Sequence, residues 1–407
     1  MMSAKKQMLI ALFYLLLASS LGILLRLFPV TNVDANYKYV LHTHSHIALL
    51  GWVYVSLTSL IYYLFIKKTA QKKFRNIFYA THITIVGMLF SFPVTGYALF
   101  SILFSTLFLI CSYWFYFLFK KYHHLEKKSY IYKFINTSLI FMTVSSLGPW
   151  ALGIIMNTLG NTSPYYKNAI YFYLHFQYNG WFIFCLLGIF IFILEKHKIH
   201  IHNEFISPFY KYMVISGVLT LFLSFLWMKP NKFLYFLSGL GVLYQLFALG
   251  KLQLIFNSYK IFIIKKFTPS VFKLLKFIYF LFILKIVLQT LTIFPFFAEL
   301  VSYFTDFVIG YLHLTFLGIV SLALFVFFNE FGLIKLSKLG VKIYLLGFIL
   351  SEVLIFYKGI CNWFQLSLIK HYFFILVIVS SLMFFGVSTI IIQGLRHYLK
   401  RKLEIII

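Results

Sequence analysis

From end to end the chain alternates apolar runs of roughly twenty residues with short polar clusters. An α-helix rises about 1.5 Å per residue, so about 20 apolar residues cross a hydrocarbon layer about 30 Å thick. Lipid offers no water to backbone N–H and C=O groups, and a run of this length satisfies them within itself only as a helix. Such runs fall near 7–29, 44–66, 77–97, 99–119, 132–157, 170–194, 209–228, 233–250, 271–294, 310–329, 341–358 and 372–394. With 62% hydrophobic and 11% charged residues among 407, nothing of useful size remains between the runs for a soluble domain. The expected fold class is all-α, a polytopic membrane protein of twelve transmembrane helices in a single domain, 1–407. The first run, Met8 to Pro29, follows Lys5 and Lys6 without a small-residue cleavage pattern and reads as an uncleaved helix.

A net charge of +27 raises the question of nucleic acid, but the Lys and Arg residues sit in the loops. One set of loops holds Lys67, Lys68, Lys72, Lys73 and Arg75, then Lys120, Lys121, Lys127 and Lys128, then Lys196 and Lys198. The same set continues with Lys260, Lys265 and Lys266, with Lys335 and Lys338, and with Arg396, Lys400, Arg401 and Lys402. All of these follow even-numbered spans, and the intervening loops carry little positive charge. The positive-inside rule then puts both termini in the cytoplasm of a multi-pass protein of the cell's inner membrane. Nucleic acid is excluded as a partner, and the lipid bilayer is the expected one. Cys111, Cys185 and Cys361 are far apart and in or beside apolar runs, which implies neither a disulfide framework nor a zinc site.

Three spans open alike. The second begins His44-Ser45-His46-Ile47-Ala48-Leu49-Leu50-Gly51-Trp52, the sixth has His175-Phe176-Gln177-Tyr178-Asn179-Gly180-Trp181, and the tenth has His313-Leu314-Thr315-Phe316-Leu317-Gly318. The shared His-x-x-x-x-Gly recurs every four spans, which predicts a pseudo-threefold repeat of four-helix units near 1–130, 131–265 and 266–407. His46, His175 and His313 then lie at similar depth in the outer half of the bilayer. On an α-helix the Gly falls about one and a half turns below the His, where a flat ligand or a neighbouring helix can come close. A lone intramembrane His can be a hydrogen-bonded structural residue; three at matched positions point to ligand binding, since imidazole ligates haem iron, copper and zinc.

At these residues the chain resembles the catalytic subunit I of haem-copper oxidases, above all the cbb3-type branch. The likeness is sharpest in His44-Ser45-His46, Leu50-Gly51-Trp52-Val53 and Tyr62-Tyr63, which look like that family's tenth helix. The resemblance implies twelve spans, pseudo-threefold symmetry and a b-type haem held axially by His44 or His46 with His313. It also implies that His175 stands where the family binds copper and Tyr311 where the family has its high-spin haem His; Tyr ligates haem iron in other folds. Arg26, near the outer end of the first helix, is at a depth to meet haem propionates by bidentate contacts or to snorkel to the interface. The chain departs from the pattern at Trp227-Met228-Lys229-Pro230, after which Asn231-Lys232 replace the two copper-ligating histidines. Copper on one imidazole is labile, so copper is expected to be weak or absent and the oxygen-reducing centre incomplete.

Three functions remain open on the residues. The first is a degenerate relative of the oxidase subunit that binds haem b for electron transfer or haem handling, among other respiratory membrane subunits. Any enzymatic activity would then be of the oxidoreductase kind, short of full oxygen reduction. The second is a metal-handling or nitric-oxide stress membrane protein similar to the NnrS family. The third is a transporter in which Lys285 and Glu352, both within spans, pair with each other or couple an ion. His42 lies four residues before His46, where a longer helix would put both on one face with His42 supporting His46, and it reads first as a loop residue; His82 and Gln289 read as hydrogen-bond partners in the bundle interior. His123, His124, His197, His200 and His202 read as solvated loop residues, and Gly148-Pro149-Trp150 as a kink.

Overall fold

The structure is a computed structural model that describes residues 3–406, with side chains from 3 to 399. Among these residues it is all-helical, without strands. In chain order the helices are α1 Ala4–Leu27, α2 Tyr37–Phe65, α3 Lys68–Thr95, α4 Leu99–Tyr122, α5 Tyr130–Thr158, α6 Pro164–Lys196, α7 Asn203–Met228 and α8 Lys232–Lys266. There follow α9 Pro269–Leu291, α10 Pro295–Tyr303, α11 Thr305–Glu330, α12 Lys338–Trp363 and α13 Tyr372–Ile406. Eleven of the described helices are long and apolar enough to cross a membrane. Side chains such as Phe90, Val94, Leu99 and Phe117 are mostly exposed, as lipid-facing residues must be. The chain is a multi-pass helical membrane protein.

Two helices fall outside that set, the nine-residue α10 and α9, whose 23 residues include Lys273, Lys276 and Lys285. Its short neighbour α10 lies where the sequence suggests a loop. Other boundaries shift for local reasons. The Asn36 side chain accepts from the N–H groups of Lys38 (3.0 Å) and Tyr39 (3.3 Å), so α2 starts at Tyr37 and His42 is helical rather than in a loop. α8, 35 residues in all, runs on past the expected end at 250 to Lys266, and carries Lys260, Lys265 and Lys266 on its last turns until Thr268 and Pro269 start α9. α5 breaks at Ser146, where Pro149 has no N–H to give the Ser145 carbonyl.

Two compact units divide the chain. The first comprises Met1–His124 with Phe327–Ile407, the second Leu125–Val326. In the first, α1 packs along α2 and α13, and α12 lies against α13. In the second, α5 packs on α6, and α7 on α8.

Three stretches depart from α geometry. Ile47–Tyr54 in α2, Phe176–Phe182 in α6 and Leu314–Val320 in α11 are π-helical, and each begins at the residue after His46, His175 or His313. The i→i+5 closure of a π-turn brings Gly51, Gly180 and Gly318 about one turn beyond the histidines, not one and a half. π-turns are rare and concentrate at functional positions.

Candidate functional site

In the first unit the two histidines of α2 are tied down by the same ring nitrogen. His44 Nδ1 lies 2.9 Å from the carbonyl oxygen of Ala18 on α1, and His46 Nδ1 lies 2.8 Å from that of His42, one turn back. A carbonyl can only accept, so Nδ1 carries the proton in both rings and Nε2 keeps the lone pair. This tether is the usual orientation device behind a metal-binding imidazole. The His46 ring packs against Phe92, with centroids 4.4 Å apart, and its neighbour His42 meets the edge of Tyr97 at 4.6 Å. His42 thus supports His46 through its backbone rather than its ring.

The space beside Gly51 is not open to a flat ligand from α1. A Cβ there would sit 2.8 Å from Cγ of Tyr14, whose ring fills it. The Tyr14 hydroxyl bonds His82 Nδ1 at 2.8 Å, and the two rings stack at 5.5 Å. Arg26 neither snorkels nor stands free: it donates to Ser380 Oγ on α13 and interacts electrostatically with Glu352 on α12. Glu352 therefore has Arg26 as a charge partner.

In the second unit His175, 1% exposed, has both nitrogens engaged. Its Nε2–H donates to the Gly217 carbonyl (2.9 Å) and its Nδ1 accepts from Asn179 Nδ2 (3.1 Å). No lone pair is left for a metal, so the expected copper ligand is a hydrogen-bonded residue in this structure. Gly180 is filled as Gly51 is, here by Phe141, with a Cβ 2.7 Å from the Phe141 Cβ.

The His175–Asn179 pair opens a longer polar chain. Lys285 of α9, 2% exposed, donates to Asn179 Oδ1 and to Gln289 Oε1 (3.2 Å). Gln289 Oε1 also accepts from the Tyr311 hydroxyl (3.2 Å) and Gln245 Nε2 (3.3 Å). The ammonium faces the rings of Tyr311 at 5.3 Å and Tyr178 at 6.0 Å. All these partners are neutral. Tyr311, expected as a haem ligand, spends its hydroxyl proton here, while His313 sits half-buried at the head of the third π-turn.

Where the resemblance asks for paired histidines, α7 has already ended. Lys229 adopts φ 52°, the left-handed region, and bridges to Glu299 at 3.1 Å, while Trp227 Nε1 donates to Asn168 Oδ1 (3.1 Å). Among the described residues no three His, Cys, Asp or Glu side chains come together as a metal-ligand set. Sequence reasoning passed over Asn179 and Tyr14. The first was legible as an i+4 neighbour of His175 on one helix face; the second had no signal but an aromatic residue on the preceding span. No family model matches the chain, and no curated protein matches it.

Proposed function

We propose that this chain is a haem-binding membrane protein of the haem-copper oxidase kind, with twelve spans in three four-helix repeats and cytoplasmic termini, in which His44 or His46 ligates a b-type haem. The observation that carries the reading is the pair of Nδ1 tethers, to Ala18 and His42, which present two Nε2 lone pairs in fixed orientation. Haem suits the donor set because the porphyrin supplies four nitrogens and asks the protein for only one or two ligands. The three π-turns that begin after matched histidines support the repeat. When bound, the haem would supply a one-electron couple; the chain's part is to hold the imidazoles and keep water away. Electron transfer or haem handling follows, without oxygen reduction, since His175 and the Lys229–Glu299 turn offer no copper site.

The test is a reduced-minus-oxidised spectrum of protein purified after expression with haem supplied. A Soret band is expected in the wild type, lost in His44→Ala or His46→Ala, with His313→Ala measured beside them. Absence of the band in the wild type overturns the proposal, and copper or zinc bound without haem would favour the metal-handling alternative.

One observation favours a second reading, transport through the second unit: a buried Lys285 with neutral partners only. It requires that Lys285→Met abolish uptake and that His46→Ala leave it intact.

A further inference from the structure

Two basic segments about fifty residues apart meet at one end of the first unit. Lys67 and Lys68 follow the end of α2, with Lys72, Lys73 and Arg75 on the first turns of α3; Lys120 and Lys121 close α4. An antiparallel backbone bridge between Ile66 and His123 joins them. Around it Lys67 N–H donates to the Tyr122 carbonyl (2.9 Å) and His124 N–H to that of Phe65 (3.0 Å). The phenol of Tyr122 gathers cations from both sides: Lys73 Nζ donates to its hydroxyl at 2.5 Å, and Lys121 Nζ lies 5.9 Å from its ring. These lysines and Arg75 are exposed, and the sequence has no Asp or Glu from residue 35 to 125.

Held together in this way, the charges repel one another, and Lys72, Lys73 and Arg75 add to the positive end of the α3 dipole, while Lys120 and Lys121 lie at the negative end of α4. An arrangement of that kind is stable when an anion shares it. Its position says which anion. The apolar stretches of α2, α3 and α4 all stop at this bridge, and exposed Tyr63 and Tyr79 stand just inside it, where aromatic side chains mark the membrane interface. We propose that this bridge-held surface binds the phosphodiester headgroups of anionic membrane lipids. The bridge fixes the two segments in advance, so binding orders little chain, and the lysine stems reach along the helix ends while their ammonium groups meet phosphate.

The experiment reconstitutes the full chain into phosphatidylcholine nanodiscs doped with spin-labelled phosphatidylglycerol or spin-labelled phosphatidylcholine, and measures the immobilised fraction of each. The wild type is expected to hold the anionic label about fivefold over the zwitterionic one, with the ratio falling as NaCl is raised. In Lys67→Gln/Lys68→Gln/Lys72→Gln/Arg75→Gln, which spares the Lys73 and Lys121 contacts to Tyr122, the ratio should fall towards one. With Arg at the same lysines it should persist. A wild-type ratio near one overturns the proposal without recourse to any variant, as does a glutamine variant with the wild-type ratio. Inorganic phosphate that removes the selectivity where chloride of equal ionic strength does not would assign the surface to free phosphate, and the lipid assignment would fail.

Discussion

His44, His46 and His175 differ in what the second ring nitrogen meets. In the first two a main-chain oxygen takes Nδ1–H and leaves Nε2 for a ligand, whereas Asn179 and the Gly217 carbonyl use both nitrogens of His175. Asn179 is the joint between that imidazole and the ammonium of Lys285. Replacing it by leucine leaves the Lys285 ammonium with Gln289 as its remaining acceptor and strands His175 Nδ1, at a cost of about 1–3 kcal/mol for an unsatisfied group. Asn179→Leu should therefore lower the melting temperature in detergent. Adding Lys285→Met should recover part of the loss, because the buried charge that lost an acceptor goes with it; a double variant that melts at the sum of the single effects would contradict this account. The His175–Asn179 contact was legible as one turn of helix. The Lys285 contact spans 106 residues and depends on packing that no local pattern encodes.

At the level of helices, span lengths locate every long element and place most ends within about two turns, with α8 and α13 running on further, because lipid enforces one length and one conformation. The larger misses have separate physical causes. A side-chain cap at Asn36 extends α2 backwards, and lysines, good helix formers, let α8 run on to Lys266. At about 1.5 Å per residue its 35 residues reach about 50 Å, well beyond a hydrocarbon core of about 30 Å. The π-turns left no trace in hydropathy, since an extra residue in a turn does not change which residues are apolar. Deleting Leu49 should return Ile47–Tyr54 to α closure and rotate the preceding part of α2 by about 100°. His44 would then lose Ala18. Far-UV circular dichroism should stay helical while the haem band disappears, and a retained band would show that the π-turn has no part in presenting the imidazoles.

For the molecule as a whole, charge makes the firmest demand. With every dense basic cluster after an even-numbered span, a fluorescent protein fused after residue 407 should fluoresce and an alkaline phosphatase fused there should be inactive. The reverse pattern would invert the topology. Within this scheme α9 buries an ammonium, that of Lys285, against an amide from α6. Asn179 is synthesised before Lys285, so the acceptor is already in place when the donor leaves the ribosome. The ammonium of Lys285 thus meets an acceptor on a helix made earlier, so the order of synthesis favours its burial.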